Sequence, residues 1–166
     1  MIKIRTDLAV EAREIIEESG NSSEIPGVKT VNKQLDDCVV TKVDVLDEQG
    51  SQIMNKGIGT YVTLESKLMK YDDDESREQM IKYLVDELKE IFGQDEHKKT
   101  LVIGLGNWNI TSDALGPRTV SKTLVTRHIF KNYNKEYDDD FTEVSALSPG
   151  VMGVTGLETS ETVKAI

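Results

Sequence analysis

Cysteine and histidine are scarce in this sequence of 166 residues, which has one cysteine, Cys38, and two histidines, His97 and His128. A single cysteine excludes an internal disulfide framework and a cysteine-rich zinc module. A metal site would have to rely mainly on carboxylates, because the two histidines lie far apart in the sequence. We therefore expect no metal and no other cofactor.

Long apolar runs and an excess of positive charge are also missing. No apolar run approaches the about 20 residues of a membrane span, and the first residues, Met1–Asp7, lack the apolar segment of a signal peptide. Lysine and arginine number 20 against 30 acidic residues, which gives a net charge of -10. Because an acidic surface repels phosphate, we expect no direct nucleic-acid or membrane partner. The single cysteine and the lack of a signal-peptide segment lead us to expect a reducing, cytoplasmic setting.

The first part of the chain, residues 1–99, predicts a mixture of helices and strands. Apolar residues at helical spacing predict a helix over Leu8–Ile16 that Thr6 or Asp7 could cap. Alternating residues predict strands over 39–45 and 60–64. A second helix opens at the acidic run 72–75 and continues through the apolar residues Met80, Leu84, Leu88 and Ile91.

The second part, residues 100–166, alternates between strands and helices. The predicted elements are a strand over 101–103, a helix over Pro117–Phe130, a strand over 143–147, a glycine-rich loop over 149–156 and a helix from Glu158. This order predicts a parallel sheet with a site at the carboxyl ends of its strands. Two parallel strands are few for such a sheet, so we expect the chain to be a piece of a longer polypeptide.

Glycines directly after the first predicted parallel strand invite a nucleotide-binding interpretation. Gly104 and Gly106 match the first two glycines of the dinucleotide fingerprint, but Asn109 replaces the third. Residues 117–135 also contain no acidic residue to bind a ribose. The remaining interpretation is a tight turn between a strand and a helix, formed by Gly104, Gly106 and Asn107.

Asp113 lies between this turn and the predicted helix that follows it. A carboxylate at that place has two interpretations. It could cap the helix by accepting backbone N–H groups, or it could face the crevice and act in acid–base chemistry. The residues alone favour the cap.

Four cations follow Asp113 without an intervening acid, in a chain that is acidic overall. They are Arg118, Lys122, Arg127 and Lys131. They could complement the carboxyl end of a helix, or Arg118, Lys122 and Arg127 could form a basic patch that attracts an acidic substrate segment. His128 is better explained as a packed residue than as a catalyst.

Five motifs, in order along the chain, resemble the spore germination protease family of endospore-forming bacteria. They are Ile4–Ala12, Val102–Asn109, Asp113–Pro117, Val125–His128 and Pro149–Thr159. The resemblance covers nearly the whole chain but corresponds to the amino-terminal half or less of a family member. It implies residues 1–7 as a propeptide remnant and residues 8–166 as the amino-terminal portion of a single peptidase domain.

The resemblance also implies a fold and a function. The fold is a three-layer α/β/α sandwich of the phosphorylase/hydrolase-like type, with a mostly parallel sheet that is incomplete in this chain. The function is an atypical aspartic endopeptidase of the spore core that degrades small acid-soluble spore proteins during germination. The resemblance also implies that the protein forms a homo-oligomer. It is made as a zymogen that cleaves itself, here between Asp7 and Leu8.

The catalytic pair that the resemblance implies includes Asp113 and a second aspartate that would lie past Ile166. Because hydrolysis by carboxylates needs one ionised and one protonated group, we expect the 166 residues alone to be inactive. The turn at 104–107 is also similar to hydrogenase maturation peptidases, so a metal-dependent peptidase is one alternative. An inactive homologue from the sporulation programme is another.

Overall fold

The computed structural model describes residues 8–18, 25–66, 74–93, 99–132 and 142–166. The chain divides into two compact units, Met1–Gly93 and Gln94–Ile166, and each is described here by itself. This boundary lies close to residue 99, where the sequence changes character. The predicted propeptide remnant, the aspartate of the predicted cleavage site and the predicted caps Thr6 and Asp7 lie outside the described residues.

The first unit contains three helices and three strands among its described residues. In chain order they are α1 (Ala9–Glu18), β1 (Val28–Leu35), β2 (Cys38–Val45), α2 (Glu48–Met54), β3 (Gly59–Ser66) and α3 (Asp74–Phe92). The strands form one antiparallel sheet in the order β1-β2-β3, with Leu35 opposite Cys38 at the β1–β2 turn. The predicted helices and strands of this region are confirmed, whereas β1 and α2 were not predicted.

One face of this sheet carries the hydrophobic core of the unit. Helix α1 turns residues at helical spacing toward the sheet, and the strand alternation of β2 places two valines on the same side. The buried cluster comprises Ala9, Ala12, Ile16, Ile25, Val43, Val45 and Met54. Asp47 begins α2 as its N-cap, because its carboxylate accepts the N–H of Gly50 at 2.8 Å.

Ion pairs attach α3 to the same sheet. The Lys33 Nζ donates to Glu87 Oε1 at 2.7 Å, and the Lys42 Nζ donates to Glu90 Oε1 at 2.6 Å. Glu87 is only 5% exposed. The face of α3 that meets the strands therefore carries Glu87 and Glu90, together with the half-buried Met80 and Tyr83.

Most of the apolar stripe of α3 is therefore not its buried face. Of the residues that gave the helix its periodic pattern, Met80 is half-buried, whereas Leu84, Leu88 and Ile91 are exposed. The helix itself is confirmed. The side that contacts the sheet is decided by Glu87 and Glu90, which the apolar pattern does not register.

The second unit contains two strands joined by helical segments. In chain order its described elements are β4 (Thr100–Ile103), a 3-10 turn (Thr111–Asp113), α4 (Leu115–Lys122), α5 (Arg127–Asn132), β5 (Val144–Leu147), α6 (Met152–Thr155) and α7 (Thr159–Lys164). Strands β4 and β5 are parallel, with Thr100 opposite Val144 and Ile103 opposite Leu147. The predicted parallel pairing of these two strands is confirmed.

The protein is thus a mixed α/β structure, as expected, but only its second unit follows the predicted parallel arrangement. The prediction of a mostly parallel sheet departs from the described strands, because the larger sheet, β1-β2-β3, is antiparallel. The reason is the length of the connection between β1 and β2. Only residues 36–37 join them, and a connection this short permits antiparallel pairing alone.

The predicted single helix over Pro117–Phe130 is wrong, since the chain forms two helices there, α4 and α5. Between these helices, Thr126 forms hydrogen bonds with the first residue of β5. Its N–H donates to the Val144 carbonyl at 3.0 Å, and its Oγ1 accepts the Val144 N–H at 2.8 Å. These bonds to the strand compete with helical hydrogen bonds and interrupt the helix.

Among the described residues, no helix combines the length and apolar character needed to cross a bilayer.

Candidate active site

The glycine-rich turn after β4 lies at the carboxyl end of the parallel strands. The Gly104 N–H donates to the Leu147 carbonyl at 3.0 Å, which continues the pairing of β4 and β5 by one step. The chain then turns through Gly106, whose φ of 128° belongs to a region that favours glycine. The expected location of the site, where the strands end, is therefore where Gly104, Gly106 and Asn107 are found.

Asp113 folds back onto this turn. Its Oδ2 accepts the Asn107 N–H at 2.8 Å, and its carbonyl oxygen accepts the same N–H at 2.9 Å. Asn107 stabilises the turn in its own right, because its Oδ1 accepts the N–H of Asn109 at 3.0 Å. One backbone N–H therefore holds both the main chain and the carboxylate of Asp113.

The interpretation of Asp113 as the cap of the next helix is wrong. The residue before the first turn of α4 is Ala114, and no side chain caps this helix end. Asp113 belongs instead to the preceding 3-10 turn. Its carboxylate accepts a loop N–H rather than helix N–H groups, because the turn at 104–107 lies directly against it.

The second carboxylate oxygen of Asp113 faces a different environment. Asp113 is exposed, and within the described part of the chain its Oδ1 accepts no hydrogen bond. Oδ2 is thus held by the Asn107 N–H, whereas Oδ1 lies beside Gly106, 3.1 Å from the position of a Cβ atom on that residue. This arrangement can present a carboxylate oxygen to a water molecule or a substrate group.

The predicted basic residues occupy different surroundings. Arg118 and Lys122 are exposed on α4 and form no ion pair with another described residue. Arg127 differs from them, because its Nε lies 3.2 Å from Glu143 Oε1. Glu143 also binds Lys99 at 3.3 Å, directly before β4 begins.

Arg127 therefore lies at the amino end of the parallel strands, whereas Asp113 lies at the carboxyl end. Its guanidinium is bound by Glu143, which precedes β5. The motif Val125–His128 accordingly has a structural contribution through Thr126 and Arg127, both of which attach α5 to β5. Arg118, in the second turn of α4, remains the predicted cation nearest to Asp113 in sequence.

Gly116 is the residue of this region that sequence reasoning missed. A Cβ atom placed on Gly116 would lie 2.1 Å from the Leu105 carbonyl oxygen. The backbone after Asp113 therefore packs directly on the turn after β4. The sequence signal was present as a glycine directly before the predicted helix start at Pro117, a position where glycine marks a turn or a close approach of the backbone.

No group of three or more histidine, cysteine, aspartate or glutamate side chains is arranged to hold a metal within the ranges that the structure describes. The described geometry gives the metal-dependent alternative no support.

Comparison with known proteins identifies the family. The sequence profile described as Germination protease matches residues 9–166. The chain is 46% identical over 165 residues to a protein named germination protease from Clostridium tetani, covering 99% of this chain and 51% of the relative. Proteins of the same name from Caldanaerobacter subterraneus subsp. tengcongensis and Bacillus cereus are 42% and 40% identical, over 100% and 98% of this chain and 50% and 45% of theirs.

The chain thus spans about half the length of the curated relatives that it matches. The match extends from α1 to α7 and includes the turn at 104–107 and Asp113. On these grounds, the chain belongs to the germination protease family.

Proposed function

We propose that this chain is part of an endopeptidase that degrades small acid-soluble spore proteins in the spore core during germination. Family membership supports the reaction class. The observation that carries the site assignment is the carboxylate of Asp113, whose Oδ2 is held by one backbone N–H and whose Oδ1 accepts no hydrogen bond from another described residue. That carboxylate lies at the end of a parallel strand pair, where α/β proteins place their reactive groups.

The proposed chemistry uses two carboxylates. One is ionised and takes a proton from the attacking water, and the other is protonated and donates to the carbonyl oxygen or the leaving amine. Two close carboxylates that share a proton provide both states, because like charges disfavour double ionisation. Asp113 supplies one member of the pair, and we place the second outside these 166 residues.

A consequence is that the 166 residues alone cleave no peptide bond. A single aspartate provides only one of the two protonation states that the reaction requires at a time. Cleavage of a spore-protein substrate by this chain in isolation would contradict the two-carboxylate proposal.

We also propose that the protein is made as a zymogen that cleaves the bond between Asp7 and Leu8, and that it acts as a homo-oligomer. Helix α1 begins at Ala9, and Ala9 and Ala12 are buried in the core of the first unit. The proposed cleavage site therefore directly precedes a packed element of the first unit, which supports a border between a removable segment and the folded protein at this position.

The decisive experiment replaces Asp113 by asparagine in the full-length protein that carries this chain. Asp113→Asn keeps the side-chain shape and an acceptor oxygen for Asn107, but it removes the carboxylate. We expect loss of both self-processing and cleavage of a small acid-soluble spore protein, measured by gel electrophoresis and mass spectrometry.

Asp36→Asn is the matched control, since Asp36 is an exposed aspartate in the turn between β1 and β2 of the other unit. It should process and cleave as the unsubstituted protein does. Retained activity in Asp113→Asn would remove Asp113 from the mechanism and, with it, the site on which this proposal depends.

A further inference from the structure

Three glycines bring two segments of the second unit into direct backbone contact. A Cβ atom on Gly104 would lie 2.2 Å from the Gly116 carbonyl oxygen, and one on Gly116 would lie 2.1 Å from the Leu105 carbonyl oxygen. A Cβ atom on Gly106 would lie 2.1 Å from the Asp113 carbonyl oxygen. These separations are far below van der Waals contact, so no side chain fits at any of the three positions.

The contacts are reciprocal, so the two segments interlock. The turn at 104–107 supplies glycines that face residues 113–116, and the segment 113–116 supplies a glycine that faces the turn. Only at this backbone separation does the Asn107 N–H reach both acceptor atoms of Asp113. The direction of the Asp113 carboxylate is therefore set by the distance between two stretches of main chain.

Side-chain packing does not orient Asp113 in the way that it orients a buried group. Asp113 is exposed, and its only hydrogen bond to another described residue through the side chain is the one from Asn107. A catalytic group must be held within a fraction of an ångström of its working position by its supporting residues. The interlocked glycines and Asn107 are the groups that provide this support here.

We propose that Gly116, Gly106 and Asn107 are positioning residues that aim the carboxylate of Asp113 at the scissile bond. This inference rests on the proposed function of Asp113 and adds how that carboxylate is held. Gly116 and Gly106 set the separation of the two segments. Asn107 holds the turn through its Oδ1 and presents its N–H to the carboxylate.

The first test is Gly116→Ala in the full-length protein, with Gly153→Ala as its control. The added methyl group must displace the Leu105 carbonyl in the first variant, whereas nothing lies within 4 Å of a Cβ atom on Gly153. A displacement of about 1 Å at a reacting group can lower kcat about a hundredfold. We expect that loss in Gly116→Ala with KM changed less than about twofold, and no change in Gly153→Ala.

The second test does not depend on whether Gly116→Ala folds. Asn107→Ala removes only the hydrogen bond that Asn107 Oδ1 accepts from the Asn109 N–H, and it leaves every backbone contact in place. We expect kcat to fall about tenfold with KM and the thermal unfolding midpoint nearly unchanged. Asn109→Ala is its control, because it keeps the backbone N–H that donates to Asn107, and it should retain kcat.

The outcomes separate this inference from the proposed function. If Asp113→Asn retains activity, the proposed function fails. If Asp113→Asn is inactive while Asn107→Ala keeps its kcat, the site stands and the positioning role of the Asn107 side chain is overturned, whether Gly116→Ala folds or not. If Gly116→Ala folds with its kcat intact, the interlocked backbone is likewise shown to have no positioning role.

Discussion

Each of the two units of this protein is stabilised internally in its own way. Among the described residues, the buried apolar side chains of the second unit are Ala114, Pro117 and Pro149, whereas the first unit buries a larger set that includes Val43, Val45 and Met54. In the second unit large apolar side chains such as Leu105, Trp108, Leu115 and Met152 are exposed. The first unit is therefore stabilised by side-chain packing, whereas the second depends on backbone hydrogen bonds and on the glycine contacts around Asp113.

This difference shows where substitutions should matter in each unit. In the first unit the free energy of unfolding should follow the volume of the side chains that are removed from the core. In the second, it should follow the loss of backbone partners and the gain of a Cβ atom at the glycines. The proposed site lies in the second unit, so its geometry depends on the main chain more than on packing.

The largest expected effect tests the contrast in packing. Met54 is 0% exposed and Leu115 is 81% exposed. Met54→Ala should lower the free energy of unfolding by about 2–5 kcal/mol, and Leu115→Ala should change it by less than about 0.5 kcal/mol. Urea unfolding followed by circular dichroism measures both. Equal losses would remove the contrast and show that another part of the protein covers Leu115.

A smaller effect tests the role of backbone partners in the second unit. Thr126 is 4% exposed, and its Oγ1 donates to the Thr142 carbonyl at 2.5 Å while accepting the Val144 N–H. Thr126→Ala leaves both backbone groups without this partner, which should cost about 1–3 kcal/mol. Thr126→Ser keeps the hydroxyl and should cost less. Hydrogen exchange at the Val144 amide reports the difference, and equal exchange in both variants would contradict it.

The smallest effect concerns the pH dependence of the first unit. Hydrogen bonds from Lys42 and then Lys33 lower the pKa of Glu90 from its ordinary value of 4.5. A carboxyl group with a lowered folded pKa contributes stability above its unfolded pKa and loses it as the pH falls through the folded value. The first unit should therefore lose stability below about pH 4.5, and Glu90→Gln should make that loss shallower.

The same ion pairs act in the opposite direction at alkaline pH. Bonds to Glu87 and Glu90 raise the pKa of Lys33 above 10.5, and the bond to Glu90 does the same for Lys42. Their contribution is complete below that value and disappears as the pH rises through the raised pKa. The thermal unfolding midpoint, measured across pH, reports both the acidic and the alkaline loss of stability. Glu78→Gln, on the exposed side of α3, is the control and should leave both losses unchanged.

Local patterns in the sequence predict most of the elements but not how they pack. The helix at Ala9–Glu18 follows from periodicity, since it buries Ala9, Ala12 and Ile16. The strands at residues 38–45 and 59–66 follow from the alternation and the β-branched residues of their sequences. The orientation of α3 does not, because the lysines that select its acidic face lie on β1 and β2, more than 40 residues away in the sequence. Contacts over such separations leave no periodic signal.

The sequence predicts where the candidate site lies but not the contacts that shape it. Strand β4 and the glycines after it indicate a turn at the sheet edge, and the family resemblance draws attention to Asp113. The bond from the Asn107 N–H and the contact of Gly116 with Leu105 are main-chain features, which residue types alone do not specify. The break between α4 and α5 was missed for the same reason, because Thr126 binds the backbone of β5.

Cys38 can report transient openings of the first unit. The thiol is 2% exposed on β2, and burial raises its pKa above 9.0, so the reactive thiolate is suppressed while the sheet is closed. It is the one cysteine of these 166 residues. A thiol-reactive dye should therefore modify it only during transient openings, and the labelling rate under native conditions would time those openings without any inserted probe.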